Sequence, residues 1–250
     1  MHINKVKAVV TGGASGLGEA TARALIAGGG KVTILDRDAK GADVATQIGA
    51  DFVQTDVTDE TSAQAAITAA AKAMGGINVA INCAGIATGE KTLGREGPHS
   101  LAGFQRTIDI NLVGSFNIAR LAAEVIAREE PSKGCGRGVI INTASIAAFD
   151  GQKGQAAYAA SKAGIAGMVL PMARDLARDG IRVMAIAPGI FLTPMLMGLP
   201  EEVRATLARD VTCPQRLGDP AEFAALARFI CESEYLNGEV IRIDGALRMQ

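Results

Sequence analysis

Tyr158 and Lys162 stand four residues apart in Tyr158-Ala-Ala-Ser161-Lys162, a segment that reads as helical. That spacing puts both side chains on one helix face. A free phenol titrates near ~10, too high for efficient proton exchange around neutrality. A neighbouring ammonium, together with the positive charge of an oxidised cofactor, stabilises the phenolate and is expected to lower that value, which makes the pair a candidate general acid/base. Spacing alone is thin support, because surface helices produce Tyr-x-x-x-Lys by chance. Ser145 adds to it: it follows the strand-like run Val139–Thr143, where a hydroxyl can hydrogen-bond a substrate oxygen and a developing alkoxide. Asn111 is a polar residue in a poor helical position, read either as solvent-facing or as a relay member holding water near Lys162. Such a set offers proton transfer at an alcohol or ketone carbon.

A second set lies near the N-terminus. Thr11-Gly12-Gly13-Ala14-Ser15-Gly16-Leu17-Gly18 closes a strand and opens a helix. Glycines there let the backbone turn sharply and approach a pyrophosphate, whose charge then sits at a helix N-terminus. The spacing is G-x-x-x-G-x-G rather than G-x-G-x-x-G, so a plain tight turn is the competing reading. Context favours the nucleotide. Asp36 ends the next strand, where an acid accepts hydrogen bonds from an adenosine ribose and repels a 2′-phosphate, so NAD is expected over NADP. Arg37 beside it weakens that preference. Asp56 and Val57 close the third strand and can meet an adenine edge. Cys83, Ala84 and Gly85 follow the fourth, where small residues let the backbone come close; Cys83 reads as a small apolar residue rather than a redox centre.

These residues need a scaffold that brings strand ends together. Short β-branched runs at Lys7–Thr11, Lys31–Asp36, Asp51–Gln54, Asn78–Asn82, Val139–Thr143, Arg182–Ala187 and Glu239–Ile243 alternate with helical patterns. The helical patterns are Gly16–Ala27, Ala39–Ile48, Thr58–Met74, Leu101–Arg128, Tyr158–Asp179 and Pro220–Glu232. Strands apolar on both faces belong in a covered parallel sheet. The expected fold is α/β: a Rossmann-type doubly wound parallel sheet of about seven strands with helices on both faces, in a single domain. Asp219-Pro220-Ala221-Glu222 places an N-cap, a first-turn Pro and an N3 acid for the last helix. Gly180 reads as a C-cap, and Pro171 predicts a kink. Two stretches break the alternation: a polar loop, Ile86–Pro98, and an apolar one, Gly189–Pro200, that opens a substrate loop over about 189–212. Long loops at the carboxyl ends of parallel strands carry function in such folds.

Composition removes other classes. Apolar residues make up 48% of the 250, yet aromatics reach only 4% and Trp is absent. A formal charge of -1 gives no electrostatic case for nucleic acid or an anionic membrane as partner. Cys83, Cys135, Cys213 and Cys231 show no pairing pattern, as in a reduced chain. His2 and His99 are the only histidines, so no metal site is expected and a Ser-His-Asp hydrolase is disfavoured. Ser15 also fails G-x-S-x-G at its last position. Met1–Lys7 runs directly into a strand without an apolar or Arg-rich leader, and no apolar run reaches the ~20 residues of a membrane span. A cytoplasmic protein is expected.

The glycine run from Thr11, the Asn82–Gly85 segment, Asn111, Ser145, Tyr158, Lys162 and Pro188-Gly189, in that order, resemble the short-chain dehydrogenase/reductase family over nearly the whole chain. The resemblance implies Tyr158 as general acid/base, Ser145 as substrate-orienting residue, Lys162 as the group that binds nicotinamide ribose and tunes the Tyr, and Asn111 as completing a proton relay. Cys83 departs from the Asn or Ala that many members carry. The segments Ile81–Ala87, Gly138–Phe149, Gly154–Tyr158, Ile186–Pro194, Arg216–Glu222 and Leu236–Gln250 further resemble the type II 3-hydroxyacyl-CoA dehydrogenases, also described as 17β-hydroxysteroid dehydrogenases, as does the insertion-like loop Ile86–Pro98. This implies NAD contacts at Ser15, Leu17, Asp36, Asp56, Val57, Cys83, Tyr158, Lys162 and Phe191, with Pro188 alongside, an acyl-CoA substrate and a homotetramer. Leu192, Met195, Leu196, Met197 and Leu199 read as an apolar lid or as ordinary packing. Lys91, Arg95 and His99 read as CoA-phosphate contacts or as a solvated loop. A carrier-protein reductase would normally use NADPH, against Asp36; a steroid or other secondary-alcohol dehydrogenase would differ only in the lid; a non-catalytic scaffold would not need the intact Ser145, Tyr158 and Lys162.

Overall fold

Seven parallel strands form one sheet in the order β3-β2-β1-β4-β5-β6-β7, in a computed structural model that describes residues 1–131, 136–198 and 200–249. The strands are β1 (Lys7–Thr11), β2 (Lys31–Asp36), β3 (Asp51–Gln54), β4 (Val79–Asn82), β5 (Gly138–Thr143), β6 (Ile181–Pro188) and β7 (Val240–Ile243). The helices are α1 (Gly16–Ala27), α2 (Gly41–Ile48), α3 (Glu60–Met74), α4 (Leu101–Ile108), α5 (Gly114–Ile126), α6 (Ala156–Asp175), α7 (Pro194–Met197), α8 (Glu201–Arg209) and α9 (Pro220–Glu232). Every residue of β5 and β6 is buried, as runs of Val, Ile and Ala between two helical layers must be. One apolar layer holds Ile67, Ile118, Ile126 and Ile165 under α3, α5 and α6. The other holds Leu25, Phe223 and Ile230 under α1 and α9. The expected doubly wound sheet is therefore the fold.

The register aligns the strand ends that matter. Thr11 sits opposite Leu35 and Asn82, Asn82 opposite Asn142, and Thr143 opposite Ile186. The order in which strands are added reverses between β1 and β4, and the crevice at such a switch point is where open α/β sheets bind ligands.

Apart from shifts of one or two residues at the ends of α2, α3 and β4 to β7, three regions differ from the sequence expectation. The Leu101–Arg128 pattern is interrupted by a π-helical turn, Asp109–Val113, between α4 and α5. Tertiary contacts drive it: the widened turn seats Asn111 against Ile86 and Ser161, a placement that helical propensity cannot signal. Helix α6 starts at Ala156 and runs through Pro171 to Asp175, followed by a 3-10 turn, Ala177–Asp179. Gly180 then closes it at φ 66, as expected of a C-cap. The expected substrate loop over 189–212 contains two helices, α7 and α8. Pro194 at the first position of α7 and Glu201, Glu202 and Arg209 at the ends of α8 are helix-end signals that its prolines and glycines masked. The capping box at Asp219 is present, with Glu222 reaching back to the Asp219 N–H. Among the described residues no helix is long and apolar enough to cross a membrane.

Candidate active site

The turn after β1 is packed backbone on backbone. Gly12 has φ +64, and a Cβ there would lie 2.8 Å from the Ala84 nitrogen. A Cβ on Gly18 would lie 2.3 Å from the Gly12 carbonyl oxygen. Only glycine lets the start of α1 and the Cys83–Ala84 backbone approach the turn this closely. Asp36 braces the same turn, accepting from the Ala14 N–H at 3.0 Å and from the Asp38 N–H at 3.0 Å. The result is a cavity of about 380 Å³ lined by Gly12, Ser15, Gly16, Leu17, Gly18, Asp36, Arg37, Asp56, Val57, Cys83, Ala84 and Gly85, among others. Asp56 accepts from the Thr58 hydroxyl at 2.7 Å and its N–H at 2.9 Å, which hold its carboxyl below the usual range.

A second cavity, of about 370 Å³, holds Ser145, Tyr158, Lys162, Pro188 and Phe191. Leu17, Cys83, Gly85, Ile86 and Thr193 line both, so the two form one cleft along the strand ends. Phe191 closes it from the β6 side. It is 6% exposed, meets Phe223 edge-on at 6.4 Å and lies where a Cβ on Gly218 would touch its ring at 2.8 Å.

Within this cavity the Lys162 ammonium donates to the Thr143 carbonyl at 2.7 Å and lies 5.7 Å from the Tyr158 ring centre. Tyr158 is hydrogen-bonded to Ser145, whose oxygen also accepts from the Ala147 N–H at 3.1 Å. The three side chains therefore converge as their types require. Burial pushes the Tyr158 phenol up, and the Ser145 hydrogen bond offsets this only in part; the lowering expected from the sequence rests on the ammonium together with the positive nicotinamide of an oxidised cofactor. Burial disfavours the charged phenolate, while the ammonium donates to the Thr143 carbonyl. Burial instead pulls Lys162 down to about 8, with the Cys83 thiol opposing.

Asn111 is fully buried, which removes its solvent-facing reading. Its side chain accepts from the Ile86 N–H at 2.8 Å and donates to the Ile86 carbonyl and the Ser161 hydroxyl, each at 3.0 Å. Its own carbonyl accepts from the Ser115 hydroxyl at 2.6 Å. It lines neither cavity and stands behind Gly85: a Cβ there would lie 3.1 Å from the Asn111 amide oxygen and 3.7 Å from the Lys162 nitrogen.

A family model described as short chain dehydrogenase matches residues 6–204. The chain belongs to the short chain dehydrogenase family. It is 55% identical to 3-hydroxyacyl-CoA dehydrogenase type-2 of Bos taurus, over 97% of this chain and 95% of that protein. It is 52% identical to the Drosophila melanogaster protein of the same name over 99% of each. The crystal structure of 3-hydroxyacyl-CoA dehydrogenase type-2 from Mycobacterium avium matches with a TM-score of 0.94 and 46% identity, covering 97% of this chain and 96% of that one.

The cleft includes residues that the sequence did not single out. Ile146, Ala147, Gln152, Gln155, Leu207 and Met249 all line the cavity that holds Tyr158. Gln152 and Gln155 follow Ser145 and could have been found as polar residues just ahead of Tyr158; Leu207 and Met249 carry no local signal. Of the five proposed lid residues, Leu196 lines the cavity. Leu192 faces an outer hollow between α8 and α9, and Met197 is 58% exposed. Leu199 and the Met195 side chain lie outside the described residues, as does Cys135. Lys91 and Arg95 are exposed on the polar loop, and His99 contacts the Ser100 carbonyl at 2.8 Å; none of the three lines the dehydrogenase cleft.

The buried lysine has a measurable consequence. Between about pH 8 and the ~10.4 of a free lysine, the unfolded chain binds a proton at Lys162 that the folded chain does not. Stability contributed at this position therefore rises with pH through that window, and the burial penalty is complete below it. Lys162→Met is expected to gain melting temperature relative to the parent most at neutral pH, with the gap closing toward pH 10. A gap that stays constant across the window would show that the lysine is not held below its ordinary value.

Proposed function

We propose that this chain is an NAD-dependent 3-hydroxyacyl-CoA dehydrogenase, which reversibly oxidises an L-3-hydroxyacyl thioester to the 3-ketoacyl thioester. The observation that carries the reading is the convergence of Ser145, Tyr158 and Lys162 in a cavity continuous with a glycine cradle that ends at Asp36. The names of the relatives support the acyl-CoA assignment. The cradle suits a dinucleotide: Gly12 and Gly18 leave no room for side chains between turn, helix and the Ala84 backbone, and Asp36 with Asp56 puts carboxylates at the far end. When bound, NAD supplies the hydride acceptor. Gly12, Ser15, Gly16, Leu17, Gly18, Asp36, Asp56, Val57, Cys83, Ala84, Gly85, Pro188 and Phe191 are the residues that would hold it, with Tyr158 and Lys162.

In oxidation, the Tyr158 oxygen takes the proton of the substrate hydroxyl while Ser145 orients the same oxygen. Because burial raises the phenol, nearby positive charge is needed to bring the tyrosinate within reach of neutrality. Lys162 is the chain's own source of it. Asn111 fixes Ile86 and Ser161 around that lysine and completes the relay by which the proton leaves. Residues 189–212 cover the acyl group. A kinetic test is the loss of NADH absorbance with acetoacetyl-CoA, repeated with NADPH. Turnover with NADH is expected to exceed that with NADPH at least ~10-fold in kcat/KM, the worth of one unfavourable carboxylate–phosphate contact of about 1.4 kcal/mol. No turnover with NADH, or equal rates with both, would sink the reading.

The working form is a homotetramer packed through α5 and α6. Val113 and Phe116 are 46% and 47% exposed, apolar side chains that a second copy would cover. Phe116→Asp is expected to shift the mass by light scattering from four chains toward two or one. An unchanged mass would place the interface elsewhere.

A further inference from the structure

We propose that Met249, held over the catalytic cavity by an ion cluster at the C-terminal end, sets the length of the apolar chain that this cavity accepts. The proposal rests on the reading above that the substrate carries an acyl group.

Beyond β7 the backbone reverses through two left-handed residues, Gly245 at φ 58 and Ala246 at φ 63. Ala246 is the sole non-glycine with positive φ among the described residues, and such a conformation persists only where surroundings enforce it. Three anchors do so here. The Asp244 side chain accepts from the Ala246 N–H at 3.0 Å. Leu247, 3% exposed, packs with Ile146 and Val211 in a small core of its own. Arg242 joins two carboxylates, Asp150 at 2.7 Å and Asp244 at 2.7 Å, and Arg248 reaches Asp244 at 3.1 Å. Asp150 belongs to the loop that follows Ser145, so the loop presenting the catalytic hydroxyl is tied to the C-terminal hook.

Met249 comes next in the chain and faces the cavity together with Ile146, Ala147, Leu196 and Leu207. Two of these partners, Leu196 and Leu207, sit on α7 and α8, and α8 buries none of its residues. That side of the cavity can yield to a longer chain. The hook cannot, because the network of partly shielded ion pairs and the buried Leu247 fix it; isolated exposed pairs would be too weak to do so. A methionine at the fixed wall gives a limit that is firm in position and adaptable in shape. Met249 therefore determines specificity, and Asp150 and Arg242 are positioning residues that act through it.

The test compares kcat/KM over a series of 3-ketoacyl-CoAs from acetoacetyl to long-chain, and over a series of methyl ketones of increasing length. Met249→Ala is expected to raise the long-to-short ratio on the order of tenfold, the discrimination a pocket makes over one or two methylenes. Asp150→Asn is expected to raise it too, through KM for the longer members, with NADH affinity unchanged. In the Met249→Ala background the Asp150 change should add nothing further, as befits a residue acting through Met249. A purely structural role for Asp150 would lower every member of the series alike. Length profiles that match the parent in both variants overturn the inference. If no thioester is turned over but the ketone profile shifts with Met249, the acyl-CoA reading fails and the wall stands.

Discussion

Tyr158→Phe is expected to lose turnover by roughly 10³-fold while binding NADH with unchanged affinity, since a positioned general acid/base contributes typically 10²–10⁴-fold. The substitution removes one oxygen and keeps the ring. The ring's place above Lys162, 5.7 Å from its nitrogen, does not depend on the hydroxyl. Nor does the lysine's bond to the Thr143 carbonyl. The polar contact given up is the one with Ser145, whose oxygen still accepts from the Ala147 N–H. The fold and the cradle at Gly12 should thus be intact. Titration of NADH fluorescence checks binding, and steady-state rates with acetoacetyl-CoA check chemistry. A rate near that of the parent would mean that another group moves the proton. A joint loss of binding and rate would mean that the phenol serves the architecture.

The sequence was most informative where a local rule and the global fold demand the same thing. The bounds of β1, β2 and β3 follow from their apolar runs, and α1 and α9 from a glycine run and a capping box. All of the residues expected to contact the cofactor line the cleft, because strand ends in a parallel sheet are brought together by register. Legibility failed where the cause is not local. The break between α4 and α5 is set by Asn111 reaching Ile86, twenty-five residues away, and no propensity encodes it. The upward push on Tyr158 comes from burial, which spacing along a helix does not reveal. Leu207 and Met249 reach the cavity from α8 and from the segment after β7, each as one apolar residue among many. Pro194 and the charges of α8 did carry a readable helix signal, outweighed by the prolines and glycines around them.

Gly18→Ala is expected to weaken NADH binding on the order of 10- to 100-fold and to lower thermal stability, although by helix propensity it should help. Alanine in place of glycine inside a helix gains up to about 1 kcal/mol. Against that stands the new methyl, 2.3 Å from the Gly12 carbonyl oxygen and 3.1 Å from the Gly13 Cα. Both are backbone atoms, which cannot rotate away. Overpacking of this kind costs typically ~1–3 kcal/mol, so steric cost exceeds propensity gain. The relief available is for α1 to withdraw from the turn or for the turn to open. Either movement displaces the N–H groups at the start of α1 and loosens Ala14 from Asp36, which is why affinity should fall along with stability. Gly103→Ala in α4 separates the two effects. A Cβ there meets nothing nearer than 3.5 Å, so propensity acts alone, stability should rise and cofactor binding should stay as it was. If Gly18→Ala instead behaves like Gly103→Ala, close backbone approach is not what that glycine provides, and the cradle must derive its shape from Gly12 and Ala84.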